Sequence, residues 1–212
     1  MSLRGKKRLP LEALRPFEIH LPHPAQADLW DGPTLFGNAR PFEVEVGCGQ
    51  GGFLIGRAAQ LPMHNFLGVE IDRARQHYVA TRLARRGYTN VLVALGDARI
   101  LLETLLRPGC VSQLHIYYPD PWWKRRHHKR RLFQPAFVRA CARVLAPGGK
   151  LHLASDVPDY FALMTRLVRD LTPLTEVPEE VSALMAGIGP TNYERKGLAR
   201  GHVVGRASFL NP

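Results

Sequence analysis

The feature that most constrains the fold is an alternation of short apolar strand-like segments with amphipathic segments of helical period. After residue 41 the strand-like segments are residues 42–46, 65–71, 90–95, 113–118, 150–155 and 202–209. The helix-like segments between them are residues 53–61, 73–86, 98–107, 132–145 and 159–171. This order predicts βαβ units, and therefore an α/β fold with a mostly parallel sheet covered by helices on both faces. Ligands of such folds bind at the carboxyl ends of the strands.

The chain divides by composition near residue 40. Residues 1–40 carry five prolines among basic and scattered apolar residues, which predicts an irregular basic arm laid over a domain formed by residues 41–212. No apolar run is long enough to span a membrane, and no signal-peptide core is present at the N-terminus. We expect no membrane association and no obligate protein partner.

The charge is strongly positive and is concentrated in two places. Lys and Arg number 29 against 18 acidic residues, a formal net charge of +11, and residues 4–8 and 124–131 hold ten of the 29. Clustered cations predict a polyanionic partner such as nucleic acid. The three cysteines are far apart without a CxxC pair, and the histidines lack metal-ligand spacing. We therefore expect a reducing, cytoplasmic location with neither disulfide nor metal.

A glycine-rich loop follows the first strand after residue 41. Residues 45–52 read EVGCGQGG, in which Gly47, Gly49 and Gly51 fit the GxGxG pattern of S-adenosylmethionine (SAM) enzymes. Replacing Gly51 by Gly52 in this count gives the GxGxxG pattern of dinucleotide-binding proteins. Either pattern brings the backbone close to a ligand. The loop alone predicts an adenosine-containing ligand and leaves both NAD and SAM open.

Acidic residues at three successive strand ends favour SAM. Glu45 precedes the glycines on a strand expected to be buried, where a carboxylate needs a partner. The ammonium of SAM could supply it, whereas the pyrophosphate of NAD would be repelled. Glu70 suits ribose hydroxyls, and Asp97 could accept from the adenine amino group. The alternative for each acid is an ordinary loop carboxylate paired with a nearby arginine.

The stretch YYPDPWWKRRHHKRRL, residues 117–132, combines an acid, two tryptophans and six cations within residues 124–131. Asp120 lies between two prolines where a strand ends, as either a reacting group or a turn-capping acid. Trp122 or Trp123 could stack on a splayed base, or either could serve packing. The cations predict contacts with phosphates, with a solvated charged face as the alternative.

These motifs together resemble the tRNA (guanine-N7-)-methyltransferase family in its bacterial single-chain form. The resemblance rests on EVGCGQG, GVEID, GDAR, YPDPWWKRRHHKRRL, LAPGGKLHLASD and TNYERKGLARGH, and it covers residues 36 to about 205. It implies a Rossmann-like class I methyltransferase fold, with a seven-stranded, mostly parallel sheet and a last antiparallel strand. It also implies SAM as donor and methylation of a guanosine in the variable loop of tRNA.

The resemblance assigns roles to individual residues. Glu45, Glu70, Asp97 and Asp120 match the SAM-binding acids, and Asp120 also matches the residue proposed as catalytic. Substrate and RNA contacts are implied for the following residues: Lys124, Arg126, His127, His128, Lys129, Arg130, Arg131, Asp156, Thr191, Asn192, Tyr193 and Glu194. Departures from the family pattern lie at Trp123, Ser155, Asn192, Tyr193 and residues 203–205, and none removes a proposed catalytic group.

Two other function classes remain open at this point. The same glycines fit a nicotinamide-dependent oxidoreductase. A non-catalytic RNA-binding protein on a degenerate methyltransferase fold would also explain the charge, although every acid that the chemistry needs is present.

Overall fold

An open, twisted sheet forms the centre of the protein. The computed structural model describes residues 9–189, 193–195, 201 and 203–212. In these residues the strands are β1 (Glu18–His20), β2 (Phe42–Val46), β3 (Asn65–Glu70), β4 (Val91–Leu95), β5 (Val111–Tyr117), β6 (Leu145–Ser155), β7 (Thr175–Val177) and β8 (Gly205–Leu210). Their order across the sheet is β1-β4-β3-β2-β5-β6-β8-β7.

Helices cover both faces of this sheet. They are α1 (Gly32–Phe36), α2 (Gly52–Gln60), α3 (Arg73–Ala84), α4 (Ala98–Ile100), α5 (Pro135–Val144), α6 (Pro158–Leu171) and α7 (Val181–Ala186), and a π-helical turn, Leu101–Leu105, extends α4. Side chains of α5, α6 and this turn fill the larger core cluster. Residues of α2 and α3 form a second cluster, and α7 joins a third together with Phe53 of α2. None of the helices in the described part of the chain combines the length and apolar character that crossing a bilayer requires.

The predicted fold class is confirmed. Strands β2 to β6 are mutually parallel, whereas β8 pairs antiparallel with β6 and β7. The described residues form eight strands, where the resemblance implied seven and the sequence pattern showed six. The two strands without a predicted segment are β1, which pairs parallel with β4, and β7, which pairs antiparallel with β8.

Residues 9–40 therefore contribute to the sheet in addition to lying over it. Leu14 is buried to 1% exposure in the second core cluster, and the amide of Trp30 donates to the carbonyl of Leu105 at 2.7 Å. The expectation of an irregular segment missed β1, because three residues are too few to show a period. The division of the chain near residue 40 stays a prediction.

The switch in strand order positions the site. From β2 the chain proceeds to β3 and β4 on one side, and it then returns to place β5 on the other side of β2. Connections diverge at such a point, which opens a crevice beyond the carboxyl ends of β2 and β5. All five residues of β2 are buried, so the acids at its alternate positions 43 and 45 are carried into the interior on the face covered by α2.

Candidate active site

A cleft lies at the carboxyl ends of β2, β3, β4 and β5. It consists of two adjoining cavities of about 560 and 280 Å³ that share Gly47, Arg75, Tyr117, Tyr118 and Asp120 as lining residues. Glu45, Gly47 and Gly49 line the larger cavity, while Glu70, Asp97 and Trp122 line the smaller one. The structure thus brings together at one cleft the loop, the acids and the corner after β5, as parallel topology predicts.

The glycine loop turns through three left-handed residues. Gly47, Gly49 and Gly51 have φ angles of 70°, 55° and 68°, a region that side chains with a Cβ rarely occupy. A Cβ at Gly47 would meet no atom within 4 Å, so its backbone borders open space, whereas a Cβ at Gly51 would come within 3.1 Å of Val79. Gly47 therefore keeps the backbone open toward the cavity, and Gly51 allows α2 to begin against α3.

Glu45 is a buried carboxylate at the floor of the larger cavity. Its side chain is 6% exposed, and its Oε2 atom has no hydrogen-bond partner among the described residues. Burial, with a further contribution from the nearby Glu70, raises the pKa of Glu45 from 4.5 to about 8, although a hydrogen bond from the Leu54 backbone opposes the shift. A cation in the cavity would give Oε2 a partner and would lower the free-energy cost of ionising the carboxyl group.

Glu70 holds the glycine loop. Its Oε2 accepts from the amide of Gly49 at 2.8 Å, and its Oε1 accepts from the amide of Asp72 at 3.0 Å. Carboxylate oxygens have more than one acceptor site each, so Glu70 retains acceptor capacity toward the smaller cavity. The structure places Glu70 at the predicted strand end, where it also stabilises the glycine loop through the Gly49 amide.

Asp97 makes its main contacts within the protein. It accepts from the backbone amide of Arg99 at 2.9 Å and caps α4, and the Arg99 guanidinium chelates it with Nε at 3.0 Å from Oδ2. Burial would raise the pKa of Asp97, but the hydrogen bonds and charge of Arg99 outweigh burial and lower it. This is the arrangement of a loop acid paired with an arginine, and it lies in the wall of the smaller cavity.

The corner after β5 is conformationally strained. Tyr118 and Trp122 have positive φ angles of 53° and 45°, and they flank the Pro119-Asp120-Pro121 segment. Bulky residues adopt this region only where their surroundings enforce it, and such strain is frequent at functional sites. The consequence here is that Asp120 is exposed at the junction of the two cavities, in the wall of both.

The two tryptophans have different surroundings. Trp122 lines the smaller cavity, its ring lies edge-on to His127 with centroids 5.8 Å apart, and the Arg130 guanidinium sits 5.1 Å from its ring centroid. Trp123 is 72% exposed. Trp122 is held in place as part of the cavity wall, and Trp123 presents an indole face to solvent beside it.

The basic run forms a short 3-10 helix, Arg125–Arg130, on the rim of the cleft. Lys124, Arg126, Lys129 and Arg130 are exposed. His127 and His128 are half-buried, as is Arg131, which turns inward: its Nε donates to the carbonyl of Pro121 at 2.7 Å, and its guanidinium lies 5.0 Å from the Tyr160 ring centroid. Arg131 therefore braces the strained corner, unlike the solvent-facing cations.

The C-terminal site residues lie against Tyr118. The hydroxyl of Tyr193 donates to Oδ2 of Asp156 at 3.2 Å, and its ring centroid is 5.1 Å from that of Tyr118. Glu194 is buried and accepts from Arg206 at 2.7 Å. Thr191 and Asn192, which the resemblance includes in this segment, lie outside the described residues.

Sequence reasoning missed two groups at the cleft. Arg75 and Arg82 of α3 line the larger cavity, and their spacing of seven residues is the only signal for a shared helix face. Glu43 and His115 form a buried pair below the cavity, with 3.0 Å between Oε2 and Nε2. The alternation of acid and valine in FEVEV was a signal for the position of Glu43, but no local pattern links it to His115.

Comparison with known proteins agrees with this geometry. A sequence profile for the family described as "Putative methyltransferase" matches residues 39–207. The solved structure of the 16S rRNA methyltransferase KamB is similar, with a TM-score of 0.60 and 16% identity over 86% of this chain and 95% of that one. A geranyl diphosphate C-methyltransferase from Streptomyces coelicolor, solved with S-adenosyl-L-homocysteine, gives a TM-score of 0.52 and 16% identity over 90% and 73% of the two chains. Fold and profile define a class I methyltransferase, an enzyme that uses SAM as methyl donor.

Curated relatives narrow the class further. The tRNA (guanine-N(7)-)-methyltransferase of Rhodopirellula baltica is 37% identical over 197 residues, which cover 84% of this chain and 73% of the relative. The enzyme of the same name from Alkalilimnicola ehrlichii is 36% identical over 212 residues, covering 94% and 84%. The chain belongs to the tRNA (guanine-N7-)-methyltransferase family.

Proposed function

We propose that this protein transfers a methyl group from SAM to N7 of a guanosine in the variable loop of tRNA. The observation that carries the proposal is the composition of one cleft. A glycine loop and a buried carboxylate form its floor, and one oxygen of that carboxylate lacks a hydrogen-bond partner among the described residues. An exposed carboxylate lies at its mouth, and a run of cations forms its rim. The family relationship to enzymes named for this reaction supports the same conclusion.

The larger cavity suits the methionine end of SAM. Glu45 would pair with its ammonium, because a cation stabilises a buried carboxylate whose Oε2 has no partner among the residues that the structure describes. The open backbone at Gly47 leaves space for a ligand, and Glu70 would accept from the ribose hydroxyls with the capacity that its backbone contacts leave. Asp97 would accept from the adenine amino group only if it shares its carboxylate with Arg99.

The same floor disfavours a nicotinamide dinucleotide. In that class of enzymes the pyrophosphate lies against the glycine turn, where the Glu45 carboxylate would repel it. Glu70 adds a second acid beside the loop, since it contacts the Gly49 amide that such a phosphate would use. In an oxidoreductase, these two carboxylates would therefore lie next to the pyrophosphate, which is the most negative group of the dinucleotide.

Methyl transfer to guanine N7 does not require a strong general base. SAM supplies an electrophilic methyl group, and guanine N7 carries a free lone pair at neutral pH, so no proton must leave first. The protein has to align the two reactants and to favour the positive charge that develops on the base. Asp120, exposed at the junction of the cavities, would orient guanine by accepting from its ring NH or amino group and would stabilise that charge.

The rim would bind the RNA that delivers the base. Lys124, Arg126, Lys129 and Arg130 point toward solvent and can contact phosphates, which gives affinity without reading sequence. His127 and His128 would add neutral donors within the same run. Asp156 and Tyr193, joined by a hydrogen bond, would shape the entrance for the guanine beside Tyr118.

The cysteines fit a reducing compartment. Cys48, Cys110 and Cys141 are all free thiols, and two of them are buried. We propose a cytoplasmic location, because free thiols persist in a reducing compartment. The proposed substrate, tRNA, is present there.

Two transcripts of one tRNA test the proposal, the first with its natural variable-loop guanosine and the second with 7-deazaguanosine at that position. The first should be methylated with SAM as donor, and the second, which lacks the ring nitrogen, should not. Equal methylation of both would refute N7 of that residue as the acceptor. Binding of NADH instead of SAM in a calorimetric titration would refute the enzyme class.

A further inference from the structure

A polar chain runs beneath the larger cavity through the buried face of the sheet. Glu43 on β2 contacts His115 on β5 through Oε2 and Nε2, 3.0 Å apart, and both side chains are 1% exposed. The other ring nitrogen of His115, Nδ1, lies 3.0 Å from the hydroxyl of Tyr117. Arg57 and His64 also contact Glu43, at 3.2 and 2.9 Å. The chain thus connects a buried carboxylate to a tyrosine in the cavity wall.

The charge states at the start of this chain are determined by their surroundings. Burial would raise the pKa of Glu43, but the hydrogen bonds from His115 and His64 and the charge of Arg57 outweigh burial and lower it, so the carboxylate is ionised and accepts only. Burial lowers the pKa of His115, so its ring is neutral and carries a single N–H. That N–H must be on Nε2, because only there can it donate to Glu43.

The direction of the last hydrogen bond follows. With its proton on Nε2, His115 can only accept at Nδ1, so the hydroxyl of Tyr117 must donate to it. The hydroxyl oxygen then has only lone pairs left for the cavity that Tyr117 lines. Burial raises the pKa of Tyr117 and the charge of Glu45 raises it further, which identifies Glu45 as an electrostatic neighbour and keeps the phenol neutral.

Tyr117 and Glu45 occupy the same face of adjacent strands. Glu45 pairs in register with His115, so Tyr117, two residues further along β5, is its diagonal neighbour. The ring of Tyr117 is fixed by an edge-on contact with Phe53 at 5.0 Å between centroids. The wall of the cavity therefore combines a carboxylate with a tyrosine whose hydroxyl oxygen can act only as an acceptor, and this combination suits an ammonium group.

We propose that Tyr117 is a further ligand for the ammonium of SAM, and that Glu43 and His115 are positioning residues that orient its hydroxyl. This inference rests on the proposed use of the larger cavity for the methionine end of SAM. It adds to the role of Glu45, since one ammonium has three N–H donors and Glu45 alone does not satisfy them.

Calorimetry with two probes tests the role of Tyr117. S-adenosylhomocysteine carries the amino-acid group, and 5′-methylthioadenosine lacks it. Y117F should weaken binding of S-adenosylhomocysteine by about ten- to a hundredfold, the range for a hydrogen bond to a charged group, and leave methylthioadenosine within about twofold. Y88F is the matched control, because the half-buried Tyr88 only approaches the Ile55 carbonyl at 3.5 Å. It should alter neither affinity.

The outcomes separate this inference from the proposed function. Unchanged affinity of Y117F for S-adenosylhomocysteine, or an equal loss for both probes, would overturn the role of Tyr117 while the proposed function stands. Failure of the wild-type protein to bind S-adenosylhomocysteine would overturn both.

A double-mutant cycle and a spectrum test the positioning residues. E43Q should weaken binding of S-adenosylhomocysteine in the wild-type background and have no further effect in Y117F, because the two changes act through one hydroxyl. Additive losses would contradict positioning. Nitrogen-15 NMR of His115 should report the Nε2–H tautomer, and an Nδ1–H tautomer would overturn the direction of the hydrogen bond.

Discussion

Replacing Glu45 by glutamine should stabilise the ligand-free protein and strongly weaken its binding of SAM. The carboxylate is 6% exposed and one of its oxygens lacks a partner among the described residues, while the amide has a similar shape and no charge. Raising a pKa from 4.5 to about 8 corresponds to an ionisation penalty of at most about 5 kcal/mol. Because the cleft is open to water, we expect E45Q to gain about 2–5 kcal/mol where the wild-type carboxylate is ionised.

The gain should depend on pH with a defined sign. A folded pKa above the unfolded value means that the folded protein binds the proton more tightly, so stability is fully present below pH 4.5 and is lost as pH rises to about 8. The wild-type and E45Q free energies of unfolding should therefore be similar near pH 4.5 and diverge by pH 8.5.

Urea unfolding at several pH values, compared between the two proteins, measures this difference. Calorimetry at neutral pH should show at least a hundredfold loss of affinity for S-adenosylhomocysteine in E45Q. Equal stability of both proteins at pH 8.5 would refute the ionisation penalty assigned to Glu45. Full affinity in E45Q would refute its role as the partner of the ammonium.

Three further changes address the substrate side. D120N should lower kcat for tRNA methylation about a hundredfold, because it removes the charge that favours the developing cation; wild-type turnover would remove Asp120 from the mechanism. The triple variant K124A/R126A/K129A should weaken tRNA binding and flatten the slope of log affinity against log salt by up to about three, and an unchanged slope would mean that this rim does not touch RNA. W123A should raise KM for tRNA if its exposed indole stacks on a base, with a tenfold effect or more expected in steady-state kinetics.

A control variant that removes two cations, against three in the rim variant, distinguishes the rim from net charge. R166A/R169A removes two cations from α6, a helix that packs on the opposite side of the sheet from α2. It should leave the salt slope of tRNA binding close to that of the wild-type protein. A slope flattened as much as by the rim variant would attribute the effect to total charge alone.

The sheet could be predicted from the sequence because its strands are buried on both faces and are separated by helices of regular period. The two strands that were missed, β1 and β7, have three residues each and lie at the edges of the sheet, where burial imposes no pattern. Helix α5 begins at Pro135, later than the expected residue 132, because a proline disfavours the helical conformation for the residue before it, and Gln134 is extended.

The acids of the site could be located from the sequence, but their partners could not. Position at a strand end predicts which carboxylates reach the cleft, since parallel strands share one edge. The contacts that distinguish them are made across the fold: Glu70 to Gly49 over 21 residues, and Glu43 to His115 over 72. Even the pairing of Asp97 with Arg99, two residues away, could not be predicted from the sequence. An exposed arginine can pair with any of several acids, and proximity in sequence does not decide which one.

The central claim is tested most directly by identifying the methylated product. The protein is incubated with methyl-labelled SAM and tRNA that lacks modification, and the RNA is digested to nucleosides and separated. All of the label should appear in 7-methylguanosine. Label in another nucleoside would contradict the proposed acceptor atom, and an absence of label from RNA that the protein demonstrably binds would contradict the assignment of catalysis.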